Sequence, residues 1–222
     1  MKVMPILFST EMVQAIMDYR KTQTRRIIKL TPGFSGRQVG ESGNPDNPLG
    51  FMYPCGIKRP PCNKGDILWV RETWQCVFDF DNSDQPIEET ERYIYYADSP
   101  MPFDYWVDAD TGEHKEQMPW KPSIHMPKEA ARIFLRVKEV RVERLQGITE
   151  TQALMEGCYM YRTKCEIQPG RSGTAIEDFH RVWDSTIKRS ELEKYGWDAN
   201  PWVWVIEFER CEKPGGWPLN DC

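Results

Sequence analysis

Between positions 31 and 64 the chain carries six prolines and six glycines, in pieces such as Pro32-Gly33, Gly43-Asn44-Pro45 and Arg59-Pro60-Pro61. Proline lacks a backbone donor, and glycine loses more conformational freedom on ordering than any other residue. This stretch therefore cannot sustain a helix or a ladder. The elements before and after it must meet across a long surface loop, and loops of that length in compact domains are uncommon and usually functional or mobile. With 222 residues there is enough chain to bury a core without covalent staples. The expected organisation is one α+β domain spanning 1–222, with large insertions at about 31–64, 75–119 and 184–200.

Nine Trp, nine Tyr and nine Phe supply the bulk for a core. No run approaches the roughly 18 apolar residues of a membrane span, and the start lacks the basic-then-apolar pattern of a secretory signal, so a cytoplasmic protein with no membrane partner is expected. Seven cysteines, an odd number without a C-x-x-C pair, argue against a disulfide framework and a zinc knuckle. No phosphate-cradling glycine loop, H-E-x-x-H or G-x-S-x-G is present. No metal and no cofactor are expected.

The net charge of -5 conceals a pattern. Residues 1–74 sum to +5, residues 75–119 to -10, residues 120–145 to +4 and residues 146–222 to -4. Two basic blocks flank an acidic one, which permits a local polyanion-binding surface while disfavouring tight nonspecific binding of duplex DNA.

Met4–Phe8 reads as a strand, followed by a helix capped by Ser9 or Thr10. Met12, Ala15, Ile16 and Tyr19 recur at helical spacing and predict one buried face. The stretch Ile67–Trp74 reads as a strand, the acidic block as an inserted hairpin with a strand at Tyr93–Ala97, and 131–145 as a long strand or bent pair. Thr149-Glu150-Thr151-Gln152 is a capping-box pattern for a short helix over 150–156 that ends at Gly157. Thr174-Ala175-Ile176-Glu177 repeats the pattern for a helix burying Ile176, Phe179, Val182 and Trp183. Trp202–Phe208 is a final, largely apolar strand in which Trp202 and Trp204 belong mostly to the core.

Two distant stretches carry candidate chemistry: Arg20-Lys21-Thr22-Gln23-Thr24-Arg25-Arg26 and Ala153-Leu154-Met155-Glu156-Gly157. Together they offer an amine, a hydroxyl, guanidinium groups and a carboxylate. Thr24 is a candidate nucleophile, and Lys21 a candidate base whose proton affinity neighbouring cations would lower. Glu156, near the negative end of its helix, has reason to seek a cation. The same residues also fit plainer roles, Lys21 as a solvated cation at the end of the first helix and Glu156 as half of a structural ion pair. Glu72 and Trp74 can hydrogen-bond and stack a base, or Glu72 can simply face water beside Arg71. His125, between Ile124 and Met126, suits a ligand contact or a structural role.

The sequence Tyr19-Arg20-Lys21-Thr22-Gln23-Thr24-Arg25-Arg26, Gly65-Asp66 leading a strand, Glu156-Gly157 closing a helix and Val203–Phe208 as the last strand resemble the ASCH domain family. The resemblance is closer to ASCH proteins of phages and prophages, through Thr10–Val13, Trp69–Trp74, Lys121–Pro127 and Asn200–Phe208. It implies a PUA-like β-barrel with a few flanking helices, in the bacterial cytoplasm. One bacterial branch of that family removes acetyl from N4-acetylcytidine with a Lys, a Thr and a Glu, which match Lys21, Thr24 and Glu156, while Arg26 matches the motif arginine. That branch has Gly where this chain has Tyr19 and an apolar residue where it has Arg25.

The resemblance thus implies a cleft for a nucleoside or unpaired nucleotide, with catalysis at Lys21, Thr24 and Glu156; Arg25, Arg26, Glu72, Trp74, His125 and Arg132 are the candidate binding residues read beside it. Amidohydrolysis of an acylated cytidine is the concrete activity. A non-catalytic module reading RNA or single-stranded DNA, in preference to duplex DNA, through Arg25, Arg26, Arg132, Arg136 and aromatic stacking is the alternative. A phage assembly or host-interaction protein using the acidic segment is a third.

Overall fold

The computed structural model describes residues 1–29, 60–83, 85–100, 102, 106–107, 111–115, 118–160 and 173–217. Most of the 31–64 loop therefore lies outside the described residues. In chain order the elements are β1 (Val3–Leu7), α1 (Thr10–Met17), β2 (Gln23–Ile27), β3 (Ile67–Arg71), β4 (Trp74–Phe80), β5 (Pro86–Tyr95), β6 (Trp106–Val107), β7 (His114–Lys115), β8 (Phe134–Arg144), α2 (Glu150–Met155), α3 (Ala175–Thr186), α4 (Leu192–Tyr195) and β9 (Trp202–Cys211). The fold is α+β. Among the described residues no helix is long and apolar enough to cross a membrane.

The chain divides into two compact units, one built from Met1–Asp18, Ile67–Arg136 and Arg210–Cys222, the other from Tyr19–Asp66 and Val137–Glu209. Strand β8 begins in the first and continues in the second. Neither unit closes its described strands into a ring.

In the first unit β1 runs parallel to β3, and β3 pairs antiparallel with the start of β8, Leu68 facing Leu135. Strand β3 is hydrogen-bonded along both edges and covered on both sides, which is why Ile67-Leu68-Trp69-Val70 is apolar without alternation. Its core gathers Ile67, Trp69, Trp74, Met126, Ala130, Ala131 and Phe134, with Trp217 edge-on to both Trp69 and Phe134. The single strand expected over 67–74 is in fact two. It breaks at Glu72-Thr73, where the chain leaves β3 and begins the hairpin of β4 with β5. That hairpin carries the first half of the acidic block.

Helix α1 starts at a Ser9 cap that accepts from the Met12 amide, and Glu11 sits at its positive end. Its buried residues are Val13, Ala15 and Ile16. Tyr19 does not join that face. The helix stops at Met17, and Tyr19 adopts φ 58 with its ring 75% exposed.

In the second unit β2 pairs antiparallel with β9, Gln23 facing Glu207 and Ile27 facing Val203. Both capping boxes form as expected, Thr149 with Gln152 on α2 and Thr174 with Glu177 on α3. The Glu150 carboxylate accepts from the Ala175 amide at 2.9 Å, tying the two helix starts together. The core beneath them holds Leu145, Ile148, Ala153, Phe179, Trp183, Val203 and Val205. Trp204 is buried and Trp202 half-buried, with the Arg144 guanidinium 4.2 Å from the Trp202 ring centroid.

Candidate functional site

The end of α2 is built by Gly157. At φ 90 it takes the left-handed conformation that glycine adopts without steric cost, and this lets the Cys158 amide reach back to the Ala153 carbonyl and the Gly157 amide to Leu154. These two bonds are a Schellman motif, and Ala153 and Cys158 make its apolar contact. Glu156 is thereby fixed as the C-cap residue, its carboxylate beside the carbonyl end of the helix, where an anion is disfavoured unless cations meet it.

Two cations do. The Thr22 amide donates to the Met155 carbonyl at 2.8 Å and Lys21 forms an antiparallel bridge with Glu156, which places the entry to β2 along the end of α2. Lys21 Nζ then donates to Glu156 Oε2 at 2.8 Å and to the Glu156 backbone carbonyl at 2.8 Å. Lys21 is thus not a solvated cation at the end of the first helix. It is a buried cation capping the second one. Arg25 Nη1 donates to Glu156 Oε1 at 2.9 Å, while its Nη2 donates to Glu143 Oε2 at 3.1 Å and Gln152 Oε1 at 3.3 Å. The guanidinium carbon lies 5.7 Å from the centroid of the Phe179 ring. A surface reader of nucleic acid would need an exposed Arg25. This one is enclosed and committed to protein carboxylates.

Side chains alternate along a strand, and the register sets Arg25 opposite Val205 but Thr24 opposite Ile206. Thr24 is buried on the face of β2 away from Arg25, and among the described residues its hydroxyl makes no hydrogen bond. Arg26, half-buried, shares that face opposite Trp204.

Burial pushes the Glu156 carboxyl upward, but the attraction of Lys21 and Arg25 and their hydrogen bonds outweigh it and hold the group below the ordinary glutamate range. For Lys21 burial dominates. Aided by repulsion from Arg26, it lowers proton affinity despite the Glu156 anion. Burial likewise lowers that of Arg26, against the pull of Glu156. Cys158, next to this cluster, has its thiol pushed up to about 12 by burial together with Asp178 and Glu156, so it stays neutral.

The remaining expected site residues lie in the first unit. Glu72 does not face water. It occupies the break between β3 and β4, 1% exposed, and takes a bidentate pair from Arg132, Nε to Oε1 and Nη2 to Oε2, both at 2.9 Å. Arg132 Nη1 also donates to Asp98 at 2.7 Å, and the guanidinium lies 3.8 Å from the centroid of the Tyr95 ring. Burial raises the Glu72 pKa, and Arg132 only partly offsets it. Trp74 is buried edge-on to Tyr93, with the Lys121 ammonium 5.0 Å from its ring centroid. Arg71 turns to the Met126 carbonyl instead of to Glu72. His125 is exposed in a 3-10 turn over Ser123–His125.

The structure thus joins Lys21, Arg25 and Glu156, keeps Thr24 on the other face from Arg25, and assigns Glu72, Trp74, His125 and Arg132 to a different unit. Sequence reasoning missed Glu143, Gln152 and Asp98. Glu143 had a signal, being an acid in the charged alternation of β8, whereas Gln152 was read only as a capping residue. No protein-family model, curated protein or solved structure matches this chain.

Proposed function

We propose that this chain is an ASCH-type protein with a PUA-like barrel, binding a nucleoside or unpaired nucleotide at β2 and the end of α2 and hydrolysing an acyl amide on cytosine N4. The observation that carries the reading is the buried Lys21–Glu156 pair, two residues 135 positions apart held at 2.8 Å. It matches the lysine and glutamate of the branch that the sequence resembles. A backbone detail supports it: Tyr19 stands where that branch has glycine and has φ 58, the conformation glycine adopts freely. Arg25, apolar in the branch, is here absorbed by carboxylates of the protein.

In this reading Lys21, its proton affinity lowered by burial, works as the neutral amine and accepts the Thr24 hydroxyl proton as Oγ1 attacks the acyl carbonyl. Glu156 stays ionised and orients the amine. Arg26 stabilises the oxyanion, N4 leaves with the proton, and water releases the acid from the threonine ester. Substrate binding has to bring the Thr24 hydroxyl and Lys21 within reach of one acyl group.

The test is acetate release from N4-acetylcytidine. Wild type should turn it over, and Lys21→Ala and Thr24→Ala should each lose roughly a hundredfold or more. A second reading, a non-catalytic module for single-stranded RNA, is favoured by the Thr24 hydroxyl lacking a hydrogen-bonded base among the described residues. It predicts no acetate release, together with oligonucleotide affinity that falls with salt and on Arg26→Ala.

A further inference from the structure

Glu156 is the start of a longer chain of paired charges within the second unit. Its Oε1 takes Arg25 Nη1, the Arg25 Nη2 reaches Glu143 Oε2, and Glu143 Oε1 takes Arg141 Nε at 2.5 Å. Arg141 continues through Nη1 to Glu207, which also accepts from Gln23 Nε2 at 2.6 Å. Cation and anion alternate from the end of α2, across β2 and β8, to β9. Exposure rises along the way: the Arg25 side chain is fully enclosed, while Glu143 and Arg141 are each 23% exposed.

A guanidinium is planar, and its two Nη groups point along fixed, divergent directions. Arg25 uses one for Glu156 and the other for Glu143 and Gln152. Its plane is therefore set from two sides, and Phe179 lies beside it. A lysine at 25 would retain charge but could not hold two carboxylates in a fixed fork. Without Arg25, Glu156 would lose the cation hydrogen-bonded to Oε1 and keep Lys21 on Oε2.

We infer that Arg25 and Glu143 are positioning residues for Glu156: Glu143 and Gln152 orient the Arg25 fork, and the fork fixes one Glu156 oxygen so that the other is presented to Lys21 in a single geometry. This rests on the reading of Lys21 and Glu156 as the working pair. The groups facing that pair are Arg25 and Arg26 from β2, Gln152 from α2, Cys158 after it and Glu143 from β8. Arg25 contacts Glu156 and a second carboxylate, Glu143, together. The resembling branch has an apolar residue at that position, so the role is not carried over from it.

The experiment combines side-chain NMR with kinetics on the full chain. In the wild type the Glu156 carboxyl carbon should titrate below the ordinary glutamate range, and in Arg25→Gln its midpoint should move up. Should Arg25→Gln fail to fold, Glu143→Gln carries the test: Arg25 guanidinium protons held in slow exchange in the wild type should average in the variant. In acetate release, Arg25→Lys and Glu143→Gln should each lower kcat by about tenfold with KM within about twofold. The double variant should be no worse than the poorer single, because both remove the same constraint. Folded variants with an unmoved Glu156 midpoint, an unchanged Arg25 signal or additive kinetic losses would overturn the assignment. Wild type without acetate release would defeat the catalytic reading alone, and the two NMR measurements would still decide the positioning.

Discussion

Glu156 and Glu72 are both buried glutamates, 6% and 1% exposed, and both are gripped by an arginine, yet folding moves their pKa values in opposite directions. Burial pushes each upward. Glu156 meets two enclosed cations, Lys21 and Arg25, one on each oxygen, and its carboxyl is held below the ordinary glutamate range. Glu72 meets one, Arg132, which is partly exposed and shared with Asp98, so desolvation prevails. What separates the two sites is how many enclosed cations each carboxylate meets, not how deeply it lies.

The largest test of that contrast is removal of each charge. Glu156→Gln leaves Lys21 buried without the Glu156 carboxylate and Arg25 with Glu143 and Gln152, and should cost about 3–5 kcal/mol. Glu72→Gln leaves Arg132 with Asp98 and with access to water, and should cost about 1–3 kcal/mol. Urea denaturation followed by circular dichroism measures both, and equal losses would erase the distinction.

The pH dependence is next and has opposite signs. Glu156 has a lowered folded pKa, so its contribution is present above the unfolded value and is lost only as pH falls through the folded one, below the ordinary glutamate range. Glu72 has a raised folded pKa, so its contribution is present below the unfolded value and fades as pH rises through the folded one. Unfolding free energies measured from pH 3 to pH 7 should therefore show Glu72→Gln gaining on the wild type as pH rises, and Glu156→Gln falling behind it. Curves that run parallel to the wild type would contradict both assignments.

The smallest effect sharpens the comparison from the backbone side. Lys21 reaches Glu156 through a left-handed turn at Tyr19, whereas neither Glu72 nor Arg132 lies next to a positive-φ residue. Tyr19→Gly should relieve about 1 kcal/mol of strain and raise the melting temperature, with the Lys21–Glu156 pair intact. A fall in stability would mean that the exposed ring contributes more than its backbone costs.

Local rules in the sequence located much of the second unit. The capping boxes at Thr149 and Thr174, the stop at Gly157 and the apolar spacing of Phe179 and Trp183 are decided within a few residues, and all formed. The face assigned to Tyr19 failed for an equally local reason. Helix α1 ended before that position, and periodicity by itself does not reveal a left-handed residue when it is not glycine or asparagine. The break at Glu72-Thr73 was hidden because β3 and β4 are both rich in strand-forming residues, so their junction carries no proline or glycine.

The sequence by itself determined which groups were available: an amine and two arginines at the head of one strand, and a carboxylate at the last residue before a helix-stopping glycine. Those follow from caps, turns and alternation, which act over four or five positions. Only the tertiary structure decided which of them meet. It turned Arg25 inward to Glu156 and Glu143, put Thr24 on the opposite face through the register with β9, and gave Glu72 a single shared cation. Pairings across more than a hundred residues depend on strand register and on the desolvation of each charge, and neither is written in any local stretch of the chain.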